Sequence, residues 1–343
     1  MPHWTGRGGT SILDTHKMGK KYLITGGAGF IGSHLGEHLL RHGHTVTALD
    51  DLSTGRQLNI KKLAAEPAFS FVRGTVEDRA LVARLVAEAD AVFHLAAAVG
   101  VQLVVDEPVR TIHTTIHGTE VVLEAAHQHK RPVLITSSSE VYGKGTRVPF
   151  GEEDDVVMGA TRFSRWCYAY SKGIDEFLGL AYHRQYGLPV TIVRLFNTVG
   201  PRQVGMYGMV LPRFVEAALK GEPLQVYGDG TQTRCFCHVA DVAAAIATLI
   251  ETPEARGDVF NLGSDEEVSM NDLAKRVIEL TGSSSRIVHV LYEQAYGRSF
   301  DDLPRRVPRL DKIRRAIGFR PQHDLVSIIR SVEADQRRAM TGA

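Results

Sequence analysis

Short apolar runs alternate along the chain with longer segments in which apolar residues recur every three or four positions. The runs are typical of buried parallel strands, and the longer segments are typical of amphipathic helices. The predicted strands cover residues 21–25, 45–49, 69–73, 91–95, 132–137, 190–196 and 259–262. The predicted helices cover the segment that contains Leu35 and Leu39, and residues 78–89, 119–129, 168–186 and 241–251. Strands that alternate with helices predict an α/β fold with a doubly wound parallel sheet.

The character of the sequence changes after Asn197, where glycine and proline become frequent and arginines are scattered. We therefore predict a larger domain that carries the sheet and a smaller C-terminal α/β domain that binds the substrate. The larger domain is predicted to comprise residues 19–196 with 235–262. The smaller domain is predicted to comprise residues 197–234 with 263–343. Residues 1–18 lack the apolar core of a signal peptide and are predicted to be a disordered leader.

Composition excludes several classes of partner. Forty basic and 39 acidic residues give a net charge of +1, so the chain has no overall field that would attract nucleic acid or an anionic membrane. The chain contains three cysteines, Cys167, Cys235 and Cys237, too few for a disulfide framework. The Cys-x-Cys pair has no further ligands at zinc-site spacing, which favours buried thiols over a metal site. A reducing cytoplasm fits this composition, and no segment is apolar enough to predict a membrane span.

A glycine cluster, Gly26, Gly29 and Gly32, lies between the first predicted strand and the first predicted helix. These glycines suit a tight turn, a close approach of backbone to a pyrophosphate, and close packing of the helix on the strand. Asp50 ends the next strand, where a carboxylate can accept hydrogen bonds from the adenosine ribose and repel a 2′-phosphate. The pattern predicts a Rossmann site for NAD, although the nearby Arg56 leaves NADP open.

Tyr168 and Lys172 are spaced one helical turn apart and therefore lie on the same face of a predicted helix. An ammonium beside a phenol lowers the pKa of the phenol, so Tyr168 could take a proton from a substrate hydroxyl while NAD takes a hydride. Alone, a Tyr-x-x-x-Lys pair is a frequent surface feature. Ser138, however, stands at the carboxyl end of a predicted strand, where α/β sheets bind ligands.

In this order, the glycine cluster, the strand-end serine and the Tyr-x-x-x-Lys pair resemble the extended short-chain dehydrogenases/reductases. Three further segments resemble the same family: FHLAA at 93–97, RLFNTVGPR at 194–202 and VYGDGTQTR at 226–234. Together the similar segments extend from Lys21 to about Pro321. The resemblance implies NAD-dependent chemistry on a nucleotide-diphosphate sugar such as a UDP-sugar. It also implies a homodimer that forms through the helices at Thr119 and Tyr168.

The resemblance implies roles for individual residues. The implied catalytic residues are Ser138, Ser139, Glu140, Tyr168 and Lys172. The implied contacts to NAD are Gly26, Gly29, Phe30, Ile31, Gly32, Asp50, Val76, Leu95, Ala96, Tyr168 and Lys172. The implied contacts to the nucleotide sugar are Arg165, Asn197, Tyr227, Arg234 and Arg306. A guanidinium suits a diphosphate, but a solvated basic run would also explain Arg306, and a packed strand tyrosine would explain Tyr227. Thr75 and Thr115 depart from the Asp and Asn of many relatives, without removing a catalytic group.

Two features indicate the fate of the sugar once its C4 is oxidised to a ketone. The pair Ser139-Glu140 resembles UDP-glucuronate decarboxylases and GDP-mannose 4,6-dehydratases, whereas similar 4-epimerases have small neutral residues there. Arg165, three positions before Tyr168, also resembles the decarboxylases. A helix-proximal or salt-bridged carboxylate would also explain Glu140, and a loop arginine in a polar insertion would explain Arg165. The C4 ketone lies β to the C5 carboxylate of glucuronate, so carbon dioxide can leave and NADH can then reduce the ketone.

We therefore expect conversion of UDP-glucuronate to a UDP-pentose. A UDP-hexose or UDP-uronate 4-epimerase is the first alternative, and a 4,6-dehydratase is the second. A noncatalytic NAD-binding sensor is a third alternative, but such proteins commonly lose the Tyr or Lys that this chain retains.

Overall fold

The structure is a computed structural model, and it describes residues 19–97, 106–164, 166–205, 209–291, 294 and 305–341. The predicted leader lies outside the described residues. The strands are β1 (Lys21–Thr25), β2 (Thr45–Asp50), β3 (Phe69–Arg73), β4 (Ala91–His94), β5 (Val133–Ser138), β6 (Val190–Leu195), β7 (Thr198–Val199), β8 (Leu224–Tyr227), β9 (Thr233–Cys235), β10 (Cys237–His238), β11 (Asp258–Leu262), β12 (Glu267–Ser269), β13 (Ile287–Val290) and β14 (Arg305–Arg306). The helices are α1 (Phe30–Arg41), α2 (Gln57–Ile60), α3 (Arg79–Glu88), α4 (Pro108–His129), α5 (Trp166–Tyr186), α6 (Val210–Lys220), α7 (Val239–Glu251), α8 (Met270–Thr281), α9 (Asp311–Ile317) and α10 (Leu325–Thr341).

Within the described residues, seven strands form a parallel sheet in the order β11–β6–β5–β4–β1–β2–β3. The strand β1 lies between β2 and β4, so the chain reverses its direction of travel across the sheet there. In doubly wound sheets, ligands bind at the carboxyl ends of the strands beside such a reversal. The predicted fold class, a Rossmann-type α/β sheet, is confirmed.

Successive side chains of the central strands point to opposite faces of the sheet. In β1, Tyr22 and Ile24 belong to a core cluster with residues of α1 and α7, while Leu23 belongs to a second cluster with residues of α3 and α4. All three side chains are buried. Both faces of the sheet are therefore covered, which explains why its strands are continuous apolar runs.

The helix α4 differs from the sequence prediction, because it begins at Pro108 rather than at Thr119. Its first turns bury Thr111 and Thr115, which share a face with Gly118 and Thr119. The buried face thus carries threonine and glycine at helical spacing, and an apolar periodicity does not detect such a face. Pro108 in the first turn suits a helix start, since its missing N–H would have no partner there.

A third core cluster lies outside the large sheet. Its members come from α6, β8, α8 and α10, among others, and include Phe214, Leu273 and Ile329. By contrast, Leu310, Ile313 and Phe319 pack in the cluster that contains Tyr22. The division into two domains stays a prediction. No helix in the described parts of the chain is long and apolar enough to cross a membrane.

Candidate active site

A cavity of about 490 Å³ lies at the carboxyl ends of the central strands, between the large sheet and the segments from 197 onward. All but one of the predicted site residues line it. They are Gly26, Gly29, Phe30, Ile31, Gly32, Asp50, Val76, Leu95, Ala96, Ser138, Ser139, Glu140, Tyr168, Lys172, Asn197, Tyr227, Arg234 and Arg306. The exception, Arg165, lies outside the described residues, so its contact to the substrate stays a prediction.

The glycine turn between β1 and α1 leaves no space for side chains. Gly26 has a φ of 72°, and a Cβ at Gly32 would lie 2.2 Å from the carbonyl oxygen of Gly26. Gly29 is the N-cap of α1 and has no side chain that could accept a hydrogen bond from the first N–H groups of the helix. The first turn of the helix has no acidic residue. Backbone N–H groups at this end of the helix can therefore meet an anion, so the residues present fit the diphosphate of a dinucleotide.

We predict that Gly32→Ala weakens NAD binding. The added Cβ collides with backbone rather than with a flexible side chain, so the turn must shift, and NAD affinity should fall by about tenfold or more in a fluorescence titration. Gly173→Ala in α5 is the matched control, because an added Cβ there meets nothing within 4 Å. Equal NAD affinity in the two variants would contradict the proposed cradle.

Asp50 lies at the end of β2, where the adenosine ribose is expected. Its two carboxylate oxygens accept hydrogen bonds from the backbone N–H groups of Ala28 (2.9 Å) and Leu52 (2.8 Å). Burial raises the pKa of Asp50, and these hydrogen bonds oppose the effect. Each oxygen retains a lone pair for a ribose hydroxyl. Arg56 lines the same cavity.

Ser138 and Tyr168 come together although they belong to different elements. Ser138 ends β5 and accepts a hydrogen bond at Oγ from the backbone N–H of Glu140 (3.2 Å), which lies in a short 3₁₀ helix, Ser139–Tyr142. The Ser138 side chain also hydrogen-bonds with Tyr168 on α5. The preceding residue, Ser137, instead donates to Glu176 (2.6 Å). Ser138 is therefore the serine of the 137–139 run whose side chain hydrogen-bonds with the phenol of Tyr168.

The charge environment of Tyr168 differs from the sequence prediction. The pKa of Tyr168 is raised rather than lowered, first because of burial and then because of the negative charges of Glu140 and Asp175. The hydrogen bond with Ser138 opposes this shift. The ammonium of Lys172 is bound to Asp175 at 3.0 Å. The sequence reasoning missed Asp175, although its position three residues after Lys172 was a visible signal.

Glu140 and Arg306 form an ion pair on the cavity wall, and their side chains are only 18% and 12% exposed. The pair joins the turn after β5 to β14, which are far apart in the sequence. The Nε atom of Arg306 is buried and has no hydrogen-bond partner among the described residues. Arg306 is thus part of the cavity wall near Tyr168 rather than of a solvated basic run. Its predicted contact to a diphosphate stays a prediction.

The remaining predicted contacts to the nucleotide sugar line the same cavity, and Arg234 on β9 is the register partner of Arg306 on β14. Arg234 is buried and donates to the carbonyl oxygen of Thr233 (2.7 Å), and Asn197 donates to that of Cys235 (3.0 Å). Tyr227 lies beneath the guanidinium of Arg213, which is 4.1 Å from the ring centroid and also donates to the phenol oxygen. The sequence reasoning missed Arg213, because spacing along the chain does not show which side chains of α6 meet the strand β8 that follows it.

Comparison with known proteins places the chain among sugar-nucleotide enzymes. The family model described as "NAD dependent epimerase/dehydratase family" matches residues 22–263. The chain is 45% identical over 306 residues to the UDP-N-acetyl-alpha-D-glucosaminuronate decarboxylase of Bacillus cytotoxicus, covering 89% of this chain and 94% of that one. It is 34% identical to UDP-glucuronic acid decarboxylase 2 of Arabidopsis thaliana, covering 98% of this chain and 72% of that one.

Among solved structures, the fold is similar to the UDP-glucuronic acid 4-epimerase of Bacillus cereus, which was solved with UDP-glucuronic acid and NAD. The TM-score is 0.84 at 26% identity, and the similarity covers 93% of this chain and 99% of that one. The relatives thus include decarboxylases and an epimerase whose names share one class of substrate, a UDP-linked uronic acid.

Proposed function

The chain belongs to the NAD-dependent epimerase/dehydratase family, and we propose that it decarboxylates a UDP-linked uronic acid through a transient 4-keto sugar. Its cofactor is NAD. The observation that carries the proposal is the ion pair of Glu140 and Arg306 on the wall of the same cavity as Tyr168. A guanidinium there can bind the C5 carboxylate of a uronic acid, a group that a neutral hexose lacks.

The residues of this chain perform the proton transfers. Ser138 orients the C4 hydroxyl, and Tyr168 removes its proton, while Lys172 compensates the charge that develops on the phenol. The glycine turn and Asp50 would hold NAD, which would supply the hydride acceptor for C4 and the hydride for the later reduction, so the reaction would consume no cofactor. The C4 ketone then accepts the electron pair that the departing carbon dioxide leaves behind.

Arg306 and Glu140 act on the carboxyl side of the sugar. Arg306 holds the C5 carboxylate until carbon dioxide leaves, and Glu140 fixes Arg306 and relays the proton that C5 then receives. Asn197 and Arg234 bind the nucleotide diphosphate, with Arg234 beside Arg306 on the paired strands β9 and β14. The predicted division of labour between a cofactor-binding and a substrate-binding domain is part of this proposal.

A 4-epimerase is the second candidate function, and the similarity to the UDP-glucuronic acid 4-epimerase of Bacillus cereus supports it. An epimerase would use the same Ser138, Tyr168 and Lys172. Its 4-keto sugar would rotate in the cavity before the ketone is reduced from the opposite face. Decarboxylation is favoured by the 45% identical relative, which is named as a decarboxylase. The same relative extends the candidate substrates from UDP-glucuronate to its 2-acetamido counterpart.

Mass spectrometry of the nucleotide sugar tests the proposal. Purified protein is incubated separately with UDP-glucuronate, UDP-N-acetylglucosaminuronate and UDP-glucose. Loss of the mass of carbon dioxide from either uronate is the expected result. An unchanged mass with a new chromatographic position would mean epimerisation, and loss of water from the hexose would mean dehydration. No change in any substrate, despite bound NAD, would favour a sensor.

The protein is proposed to act as a cytoplasmic homodimer. The helices α4 and α5 pack side by side and present large apolar side chains to solvent. Val109 and Phe177 are 74% and 72% exposed, and Ile112, Tyr170 and Ile174 are exposed as well. An apolar surface across two adjacent helices is typical of a subunit interface. None of the three cysteines forms a disulfide within the described residues, which suits a reducing compartment.

We predict that Phe177→Glu converts the dimer to a monomer. A charge at this position would be buried without a partner in the interface, so sedimentation equilibrium should show the mass of one chain. Leu58→Glu is the matched control, since Leu58 is 65% exposed on α2. A Phe177→Glu protein that sediments like the unmodified one would refute this interface.

A further inference from the structure

A buried ion pair lies one helical turn beyond the proposed catalytic tyrosine. The Nζ atom of Lys172 is 3.0 Å from Oδ2 of Asp175, and the two side chains are 2% and 0% exposed. Positions three apart on a helix face each other, so the pair forms within α5 itself. Charges that are withdrawn from water in this way are stable only when they are paired, so each group fixes the other.

The surroundings of Asp175 include His94 and Thr119. His94 at the end of β4 shares hydrogen bonds with Thr25 (2.8 Å) and Thr119 (3.0 Å), and Thr119 lies next to Asp175. Burial, together with the charge of Lys172, lowers the pKa of His94 to about 3, so this imidazole is neutral near pH 7. Asp175 is therefore the group that balances the charge of Lys172.

The charges near Tyr168 come from two elements. On its own helix are Lys172 and Asp175, and from the turn after β5 comes Glu140, whose carboxylate is paired with Arg306. Burial raises the pKa of Tyr168, and the charges of Glu140 and Asp175 raise it further.

The charged groups of Glu176 and Arg194 also lie nearby. The carboxylate next to Asp175, that of Glu176, is paired with Arg194 at 2.7 Å. Burial raises the pKa of Asp175 itself, and Lys172 opposes that shift.

We propose that Asp175 is a positioning residue that fixes the Lys172 ammonium and weakens the stabilisation that this ammonium gives to the phenolate of Tyr168. Asp175 thereby sets the pH at which Tyr168 begins to act as a base, and holds that pH higher than Lys172 alone would. The inference rests on the proposed role of Tyr168 and Lys172 in oxidising the sugar. It adds a residue that touches neither the sugar nor the cofactor and acts through Lys172.

The test is Asp175→Asn, which removes the charge and keeps the shape. The acid limb of the pH profile of kcat/KM should move to lower pH by about one unit, because the phenolate of Tyr168 loses a repelling charge. A second measurement needs no turnover. The ultraviolet phenolate signal of Tyr168 is obtained as the difference between proteins with and without Tyr168→Phe. This signal should also appear at lower pH in Asp175→Asn.

Two further variants separate positioning from damage to the fold. Glu176→Gln is the matched control, since this neighbouring buried carboxylate pairs with Arg194 rather than with Lys172, and its profile should keep the original midpoint. Asp175→Glu keeps the charge and should restore the midpoint. Should Asp175→Asn fail to fold, Asp175→Ser takes its place.

An unchanged midpoint for Tyr168 in the charge-removing variant overturns the inference. If the unmodified protein converts no sugar nucleotide, the proposed function fails, but the phenolate titration still decides the role of Asp175.

Discussion

Tyr168→Phe should reduce turnover of the nucleotide sugar by about 10²- to 10⁴-fold, the usual contribution of a positioned proton acceptor. The substitution removes one oxygen atom, the atom that hydrogen-bonds with Ser138 and that is proposed to take the proton from C4. The rest of the ring keeps its packing, so NAD affinity and thermal stability should change little. The measurement is kcat together with the near-ultraviolet absorbance of bound NADH in a single turnover.

Tyr170→Phe supplies the control, because the same atom is removed from the same helix two residues away. Tyr170 is 40% exposed, and its hydroxyl donates to the carbonyl oxygen of Gly159 (3.3 Å) rather than to a residue of the cavity. Its turnover should match that of the unmodified protein. If Tyr168→Phe also turned over at that rate, hydride removal from the sugar would have to depend on another base.

Arg306→Leu should lower kcat/KM for a UDP-uronate by about one to two orders of magnitude, the usual loss for a hydrogen bond to a charged group. The guanidinium is proposed to bind the C5 carboxylate, and Glu140 loses the cation that pairs with it. Oxidation of UDP-glucose, which has no carboxylate, should be affected much less. The ratio of the two kcat/KM values therefore reports the proposed contact.

Arg305→Leu is the neighbouring control. Arg305 points away from the cavity wall, is 51% exposed and pairs with Glu267 at 2.7 Å. Its kcat/KM for the uronate should stay close to the unmodified value, because an exposed ion pair contributes little. Equal losses for both substrates in Arg306→Leu would instead place Arg306 on the nucleotide diphosphate, as the family resemblance implied.

The sequence determined the framework and the glycine turn by itself. The strand β1, the glycine turn and Asp50 follow from apolar runs, from positions where only glycine fits, and from a fixed separation along the chain. The pair of Tyr168 and Lys172 follows from the helical repeat. All of these are local patterns, and local patterns are readable because neighbours in the chain remain neighbours in the fold.

Only the tertiary structure decided which distant groups meet. Arg306 reaches Glu140 because the chain returns to the cavity from a remote element, and Arg213 reaches Tyr227 because α6 packs against β8. Their pairing depends on the packing of whole layers rather than on spacing along the chain.

The sign of the pKa shift of Tyr168 was also decided in three dimensions. The spacing of Tyr168 and Lys172 predicted a lowered pKa, and burial together with Asp175 and Glu140 reversed it. The sequence thus determined which elements form and which residues could react. Packing decided the electrostatics of the site, because burial and the distances between charges exist only once the chain has folded.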